Sequence, residues 1–389
     1  MSQSSVEHLL SRRVLEMDGS GIRRAFELGA SLKDPINLSI GQPDFPVPDA
    51  MKDGAIAAIR DDRNGYSLSE GVAPLNRAIR NHLAHDLGWD IDDPEIGVMV
   101  TSGTSGALLL SSLALLDPGD EAIVPDPWFV IYPQLGPLTG GRIVPCDTYP
   151  DFRMTAERVE PLITDRTKFV LANSPGNPTG VVLTERECRD LADLCRDRGV
   201  QLVSDEIYDE FVFEDARGET GACPSPGRGD PGVLVIRGFG KTYGCTGWRL
   251  GCAAGPAALI AQMRKLQQFT FVCAPTPLQW GAAAAYDADL SDLIAGYQRR
   301  RDRVVGMLSP HTRVSTPGGA FYAFFEVPPA LGISGTTFVE RAVAHRVLLV
   351  AGGVFSSRDT HVRLSFAVPE PVLDEGLEVL AGMLSGSLV

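Results

Sequence analysis

The chain has few of the features that mark membrane-bound or exported proteins. None of its apolar runs approaches the ~20 residues that a membrane-spanning helix requires. Its first residues, MSQSSVEH, are mostly polar and contain no apolar segment of the kind found in secretion signals. These absences predict a cytoplasmic protein without a membrane partner.

Basic residues are also scarce. The chain carries 35 Lys and Arg against 49 Asp and Glu, which gives a formal net charge of −14. Such a chain repels a phosphate backbone, so we expect no nucleic-acid partner. A small anion held in a local basic pocket is compatible with this charge.

Closely spaced metal ligands are missing as well. The seven cysteines form no Cys-x-x-Cys pair, and the six histidines are scattered along the chain. Zinc sites usually show such spacings, so the sequence predicts no metal site. An odd number of cysteines without a pairing pattern is typical of a reducing compartment.

The chain does contain many short apolar runs separated by helical periodicity. This alternation is typical of an α/β fold with a mostly parallel sheet between helices, and the clearest helix spans residues 185–198. We predict a large domain with a seven-stranded sheet, built from runs at 97–101, 121–125, 142–146, 168–172, 201–204, 233–237 and 250–254.

The last part of the chain has a different pattern. It is helical from Pro256 to about Leu308 and then contains predicted strands at 320–326, 347–350 and 362–366. At 389 residues the chain is long enough for two domains, so we predict a smaller α+β domain here. The predicted limits are 1–45 for an N-terminal arm and part of the small domain, 46–285 for the large domain and 286–389 for the small C-terminal domain.

Residues 238–251, GFGKTYGCTGWRLG, carry the strongest chemical signal. Lys241 follows a predicted strand, at the sheet edge where ligands bind in α/β proteins, and Arg249 lies eight residues further on. An amine that forms Schiff bases and a guanidinium that binds phosphate would together suit pyridoxal 5′-phosphate. On this segment alone, a surface lysine after a core strand is an equally good interpretation.

Three further strand ends carry polar groups. Residues 101–106, TSGTSG, run into a helix and could bind an anion or simply cap that helix. Residues 173–180, NSPGNPTG, form a stiff loop that could aim the Asn177 amide at a ligand or serve only as a turn. Asp205 ends a buried run, where a carboxylate needs a positive partner such as a protonated pyridine nitrogen or a structural arginine; Tyr208 follows it.

In combination these motifs resemble the class I/II aminotransferases, which are pyridoxal-phosphate enzymes of fold type I. The resemblance is nearest to the aspartate and aromatic amino-acid branch and extends from residues 36–45 to residues 362–365. It implies a large domain that binds the cofactor, a homodimer with shared active sites, and transfer of an amino group from a 2-amino acid to a 2-oxo acid such as 2-oxoglutarate.

The resemblance also implies roles for individual residues. Lys241 would form the Schiff base with the cofactor, Asp205 would pair with the pyridinium nitrogen, and these two with Tyr208 would be the catalytic residues. Asn177 and Tyr208 would hydrogen-bond the 3′-oxygen, and Phe129, with neighbouring Trp128 as a rival, would stack on the ring. The phosphate would be bound by Gly103, Thr104, Ser105, Arg249 and, from the partner subunit, Tyr66.

For the substrate, the resemblance implies that Arg363 binds the α-carboxylate with help from Asn177 and the Gly41 backbone. Gly238 and Gly240 depart from a Ser-x-Ser pattern that supplies a phosphate contact in many relatives. The pattern leaves aspartate, aromatic and other amino acids open as substrates. Two other functions also stay open: a β-lyase or related eliminating enzyme on the same fold, and a ligand-sensing domain.

Overall fold

The computed structural model describes residues 6–15, 17, 19, 21, 33–286 and 288–388. Its largest sheet has seven strands in the order β2-β8-β7-β6-β5-β3-β4. All neighbouring pairs are parallel except those of β8, which runs antiparallel to β2 and β7. The strands are β1 Ile36–Asn37, β2 Ile96–Thr101, β3 Glu121–Asp126, β4 Arg142–Asp147, β5 Thr167–Asn173, β6 Gln201–Asp205, β7 Leu234–Gly238, β8 Gly251–Pro256, β9 Tyr322–Glu326, β10 Val347–Leu348, β11 Val350–Ala351 and β12 His361–Ser365.

Helices cover both faces of this sheet, and two core clusters lie between the sheet and the helices. The mostly parallel seven-stranded α/β arrangement confirms the predicted fold class. The helices are α1 Arg12–Leu15, α2 Asp49–Arg60, α3 Ala73–Leu87, α4 Gly103–Leu115, α5 Tyr132–Thr139, α6 Ala156–Val159, α7 Glu185–Arg198, α8 Phe239–Thr242, α9 Ala257–Phe269, α10 Thr276–Ala284, α11 Ser291–Leu308, α12 Gly335–Ala344 and α13 Glu370–Leu384.

Helix α7 shows how the local sequence sets these boundaries. Thr184 accepts a hydrogen bond from the Glu187 backbone while the Glu187 side chain bonds back to the Thr184 N–H, which forms a capping box. Gly199 ends the helix in the left-handed conformation, with φ 65°. The predicted helix at 185–198 therefore begins and ends where the sequence indicated.

The C-terminal part forms a second, smaller layer. Strand β12 pairs antiparallel with β9 and β11, whereas β10 pairs in parallel with β1 from the N-terminal part of the chain. The single strand predicted at 347–350 is therefore wrong: β10 and β11 separate because they pair with different neighbours. The strand predicted from residue 320 begins at Tyr322, since Ala320 has φ 57°, which is incompatible with extended backbone.

A separate core cluster fills this smaller layer, and it includes Ile36 and Leu38 beside residues of the C-terminal helices. This packing agrees with assigning part of the N-terminal segment to the small domain. The exact domain limits stay a prediction, and residues 22–32 of the predicted arm lie outside the described residues.

Parallel strands bring three chain segments to one edge of the large sheet. Strand β5 ends at Asn173, β6 at Asp205 and β7 at Gly238. Because parallel strands share their carboxyl-terminal edge, the polar residues after each strand converge there. Strand β12 of the small domain contributes Arg363 to the same region.

Candidate active site

A cavity of about 350 Å³ lies at this edge of the sheet. It is lined by residues from the large sheet, from the turn at Gly41 and from the small domain. All the predicted site residues except Tyr66 line it: Gly41, Gly103, Thr104, Ser105, Phe129, Asn177, Asp205, Tyr208, Lys241, Arg249 and Arg363.

Lys241 lies in the short helix α8, directly after β7. Its Nζ donates a hydrogen bond to the Gly41 carbonyl oxygen. Burial, and then the nearby cations Arg363 and Arg249, lower the pKa of Lys241 to about 8. A substantial fraction of this amine is therefore neutral near physiological pH, as a nucleophile or base requires.

Asp205 places a buried carboxylate at the floor of the cavity. Its Oδ2 accepts a hydrogen bond of 2.8 Å from the Tyr132 hydroxyl, and its Oδ1 accepts one of 3.3 Å from the Ile207 N–H. Burial raises the pKa of Asp205 to about 6, although the Tyr132 bond opposes this change. Within the described part of the chain no cation pairs with Asp205, so the carboxylate is available to a positively charged ligand.

Arg363 is 1% exposed, and its guanidinium lies between the rings of Tyr322 and Phe355, 4.6 and 4.7 Å from their centroids. It donates 3.1 Å to Asn177 Oδ1 and 2.8 Å to the Ser39 carbonyl. Among the described residues its Nε has no hydrogen-bond partner, and no carboxylate pairs with it. A buried guanidinium in this state is suited to bind an anion such as a carboxylate.

The loop at 173–180 is held rigidly against the sheet edge. The Asn173 side chain donates 2.9 Å to the Asp205 carbonyl and accepts 2.9 Å from the Asn177 N–H. Both X-Pro bonds of the loop, at Pro175 and Pro178, are cis. The Asn173 bond and the Arg363 guanidinium, which donates to its Oδ1, thus hold Asn177 at the cavity.

The first residues of helix α4 also line the cavity. Within the described residues Ser102 makes no side-chain capping bond, so the first N–H groups of the helix are open to an anion. Gly103 has φ 68°, and a Cβ on it would lie 2.6 Å from Arg249 Nη2. The glycine thus lets the exposed Arg249 guanidinium reach the helix N-terminus, where the two together can hold a phosphate.

The two glycines before Lys241 have different surroundings. A Cβ on Gly238 would collide with Ile207 Cδ1 and would lie 2.9 Å from Thr104 Cγ2. A Cβ on Gly240 would lie 3.2 Å from the Thr246 Cα. Ile207 and the Thr104 methyl therefore fill the space that a serine side chain would need at position 238.

Phe129, Trp128 and Tyr66 differ in their position relative to the cavity. Phe129 lines the cavity, whereas Trp128 packs against the neighbouring core cluster and does not. Tyr66 is 87% exposed and does not line the cavity. Within one subunit the structure therefore brings Phe129, but not Tyr66, to the site.

Sequence reasoning missed Tyr132 and Tyr322. The Tyr322 hydroxyl lies 3.0 Å from the Tyr208 hydroxyl, and a Cβ on Gly41 would lie 2.6 Å from it. Both tyrosines are fully buried and face groups that are distant in sequence. No local motif surrounds either residue, so no sequence signal marked them.

One cluster of potential metal ligands lies on the far side of α8. His82, Asp209 and Glu210 place one ligand atom each within 4.8 Å of one another. Arg237 Nε lies 3.2 Å from Asp209 Oδ2 and supplies the cluster with a positive charge of its own. Asp209 is therefore paired with Arg237, and Glu210 Oε1 lies 3.4 Å from His82 Nε2.

Known proteins are similar to this chain in sequence and in fold. Residues 33–380 match the sequence profile of the family described as aminotransferase class I and II. The chain belongs to this family. It is 34% identical to the aspartate/prephenate aminotransferase of Thermus thermophilus over 96% of this chain and 98% of that protein, and 31% identical to the aromatic-amino-acid aminotransferase 2 of Thermococcus litoralis over 96% and 98%.

The fold comparison agrees with the sequence comparison. The solved aspartate aminotransferase from Thermus thermophilus with maleate superposes with a TM-score of 0.89 at 34% identity, covering 96% of this chain and 98% of that one. The protein is thus a pyridoxal-phosphate-dependent aminotransferase that acts on amino and 2-oxo acids. No helix in the described part of the chain is both long and apolar enough to cross a membrane.

The cavity fits pyridoxal 5′-phosphate by its donor set. The uncapped start of α4 beside Arg249 offers an anion site, Asp205 offers a carboxylate without a cationic partner, and Lys241 offers an amine of lowered pKa. These features match a phosphate, a ring nitrogen and an aldehyde in turn. The buried Arg363 is left over for a second anion.

Proposed function

We propose that this aminotransferase takes the amino group of aspartate or of an aromatic amino acid and transfers it to 2-oxoglutarate. The observation that carries the proposal is that the Lys241 amine, the Asp205 carboxylate and the Arg363 guanidinium line one cavity. The named activities of the similar proteins, on aspartate, prephenate and aromatic amino acids, support this choice of substrates.

The cofactor would be held by its phosphate and by its ring. Gly103, Thr104 and Ser105 would bind the phosphate together with Arg249, and Phe129 would lie against the ring. Asn177 and Tyr208 would hydrogen-bond the 3′-oxygen, and Asp205 would pair with the ring nitrogen. When bound, the cofactor supplies a protonated ring that accepts the electron pair left when the substrate loses its Cα proton.

Lys241 and Arg363 act on the substrate. Lys241 would hold the cofactor, and its Nζ would also be the group that moves the proton at the substrate Cα. The lowered pKa keeps this amine partly neutral, which a proton acceptor needs. Arg363 would fix the α-carboxylate with two N–H donors, with Asn177 and the Gly41 backbone beside it.

We also propose a homodimer in which Tyr66 of each subunit reaches the phosphate in the other. Tyr66 is 87% exposed, Leu68 71% and Phe269 85%, so this side of the large domain carries large exposed apolar groups that a second subunit would cover. The cytoplasm is the proposed compartment, because all seven cysteines are free and such cysteines suit a reducing environment.

The test is a product assay on the enzyme loaded with cofactor. Each of a panel of amino acids is incubated with 2-oxoglutarate, and glutamate is measured, with Lys241→Ala as the inactive control. Glutamate formed from aspartate or from an aromatic amino acid supports the proposal. Glutamate formed only from other amino acids would contradict the proposed substrates, and pyruvate with ammonia from cysteine conjugates, without glutamate, would indicate a β-lyase.

A further inference from the structure

Tyr132 is the first residue of α5, and its side chain is fully buried below the cavity. Its hydroxyl donates a 2.8 Å hydrogen bond to Asp205 Oδ2. The other carboxylate oxygen accepts only a longer bond of 3.3 Å from the Ile207 backbone. Within the described residues, Tyr132 is therefore the one side chain that donates to this carboxylate.

The hydrogen bond from Tyr132 strongly affects Asp205 because the carboxylate is buried. Asp205 is 2% exposed, and burial raises its pKa to about 6, while the Tyr132 hydroxyl stabilises the ionised form. A hydrogen bond to a charged group in a buried site is about twice as strong as one between neutral groups. Loss of the hydroxyl would leave the carboxylate with backbone support alone.

A ring contact also fixes the position of Tyr132. Its ring packs edge-on against Phe129, with centroids 5.9 Å apart and planes at 78°. Phe129 and Tyr132 both line the cavity, one turn of chain apart. Phe129, which would lie against the cofactor ring, and Tyr132, which donates to the Asp205 carboxylate, therefore belong to one short segment.

We propose that Tyr132 is a positioning residue that holds Asp205 ionised and aimed at the ring nitrogen of the bound cofactor. This inference rests on the role of Asp205 in the proposed function. A phenylalanine would fill nearly the same buried volume. Any effect of replacing Tyr132 with phenylalanine would therefore come from the lost hydrogen bond to Asp205 and not from altered packing.

The experiment compares two cofactors on the apoenzyme. Pyridoxal 5′-phosphate carries the ring nitrogen, whereas 1-deazapyridoxal 5′-phosphate has a carbon in its place and offers Asp205 nothing to pair with. In Tyr132→Phe we expect the dissociation constant of pyridoxal 5′-phosphate to rise about tenfold or more, since a hydrogen bond to a charged group is lost. The dissociation constant of the deaza analogue should stay unchanged.

Tyr297→Phe is a matched control, because Tyr297 is also buried and donates to an aspartate, Asp44, but does not line the cavity. It should bind both cofactors as the wild type does. Equal weakening of both cofactors in Tyr132→Phe would show a merely structural role and overturn the inference.

Asp205→Asn separates this inference from the function on which it rests. We expect Asp205→Asn to lose the preference for the natural cofactor, and Tyr132→Phe to add nothing further in that background. If Asp205→Asn weakens the binding of pyridoxal 5′-phosphate but not of the deaza analogue, while Tyr132→Phe weakens neither, only the role of Tyr132 is wrong. If Asp205→Asn keeps the wild-type preference for pyridoxal 5′-phosphate, the proposed role of Asp205 fails, and the inference about Tyr132 fails with it.

Discussion

Replacing Arg363 with lysine tests how the substrate is held. The change keeps the positive charge but removes the planar fork that lies between Tyr322 and Phe355 and donates to Asn177 Oδ1 and the Ser39 carbonyl. A lysine can offer the substrate carboxylate one well-directed hydrogen bond in place of two. It also leaves the amide oxygen of Asn177 without its donor.

The expected magnitude follows from the lost bond. A hydrogen bond between charged groups contributes about 1.5–3 kcal/mol, so substrate binding in Arg363→Lys should weaken by about 10- to 150-fold. The affinity for the cofactor should change little, because the hydrogen bonds of Arg363 go to Asn177 and Ser39 and not to Gly103 or Arg249, which would bind the phosphate.

The assay is a single-turnover reaction of the cofactor-loaded enzyme with increasing amino acid, followed by the absorbance of the bound cofactor. Arg301→Lys is the matched control: this arginine is also buried, stacks on Phe213 and binds the Pro317 carbonyl, but lies outside the cavity. Loss of cofactor binding in Arg363→Lys, or unchanged saturation by the amino acid, would refute the assignment.

Three further predictions concern the cofactor end of the cavity. Asp205→Asn should slow removal of the substrate Cα proton by at least about tenfold in rapid-mixing experiments, because the buried charge is lost; an unchanged rate would count against the role of Asp205. The rate at which apoenzyme takes up pyridoxal 5′-phosphate should rise with pH through about 8 and then level off, since the pKa of Lys241 is lowered and only the neutral amine reacts; a flat profile would be inconsistent with this. Gly238→Ser should cost about 1–3 kcal/mol of stability through overpacking against Ile207 and Thr104, and Ile207→Ala in the same chain should restore part of it; an unchanged melting temperature in Gly238→Ser would contradict the close packing.

The sheet could be predicted because each of its strands is a short apolar run bounded by local breaks. All seven predicted runs lie within two residues of a strand of the large sheet. The helix at 185–198 was predicted from its helical periodicity, which is also a local feature, and its ends are set locally by the capping box at Thr184 and by Gly199. In contrast, the break between β10 and β11 depends on which distant strand each one pairs with.

The site residues also fall into two groups: those that a local sequence motif indicates and those that only the fold brings to the site. Asp205 ends a strand, and Asn177 and Lys241 follow strands, all within recognisable motifs, so the sequence indicated them. Tyr132 does not: its hydroxyl matters only because the fold brings it to Asp205, 73 residues away along the chain. Tyr66 shows a different limit, because a contact in a second subunit depends on assembly as well as on the fold of one chain.

The covalent link between cofactor and protein is the central claim. Borohydride reduction of the cofactor-loaded enzyme, followed by proteolysis and mass spectrometry, shows directly which lysine carries the cofactor. We predict that the reduced adduct lies on Lys241 and that Lys241→Ala yields none at that peptide and no transamination. An adduct on another lysine in the wild type, or transamination by Lys241→Ala, would contradict the account.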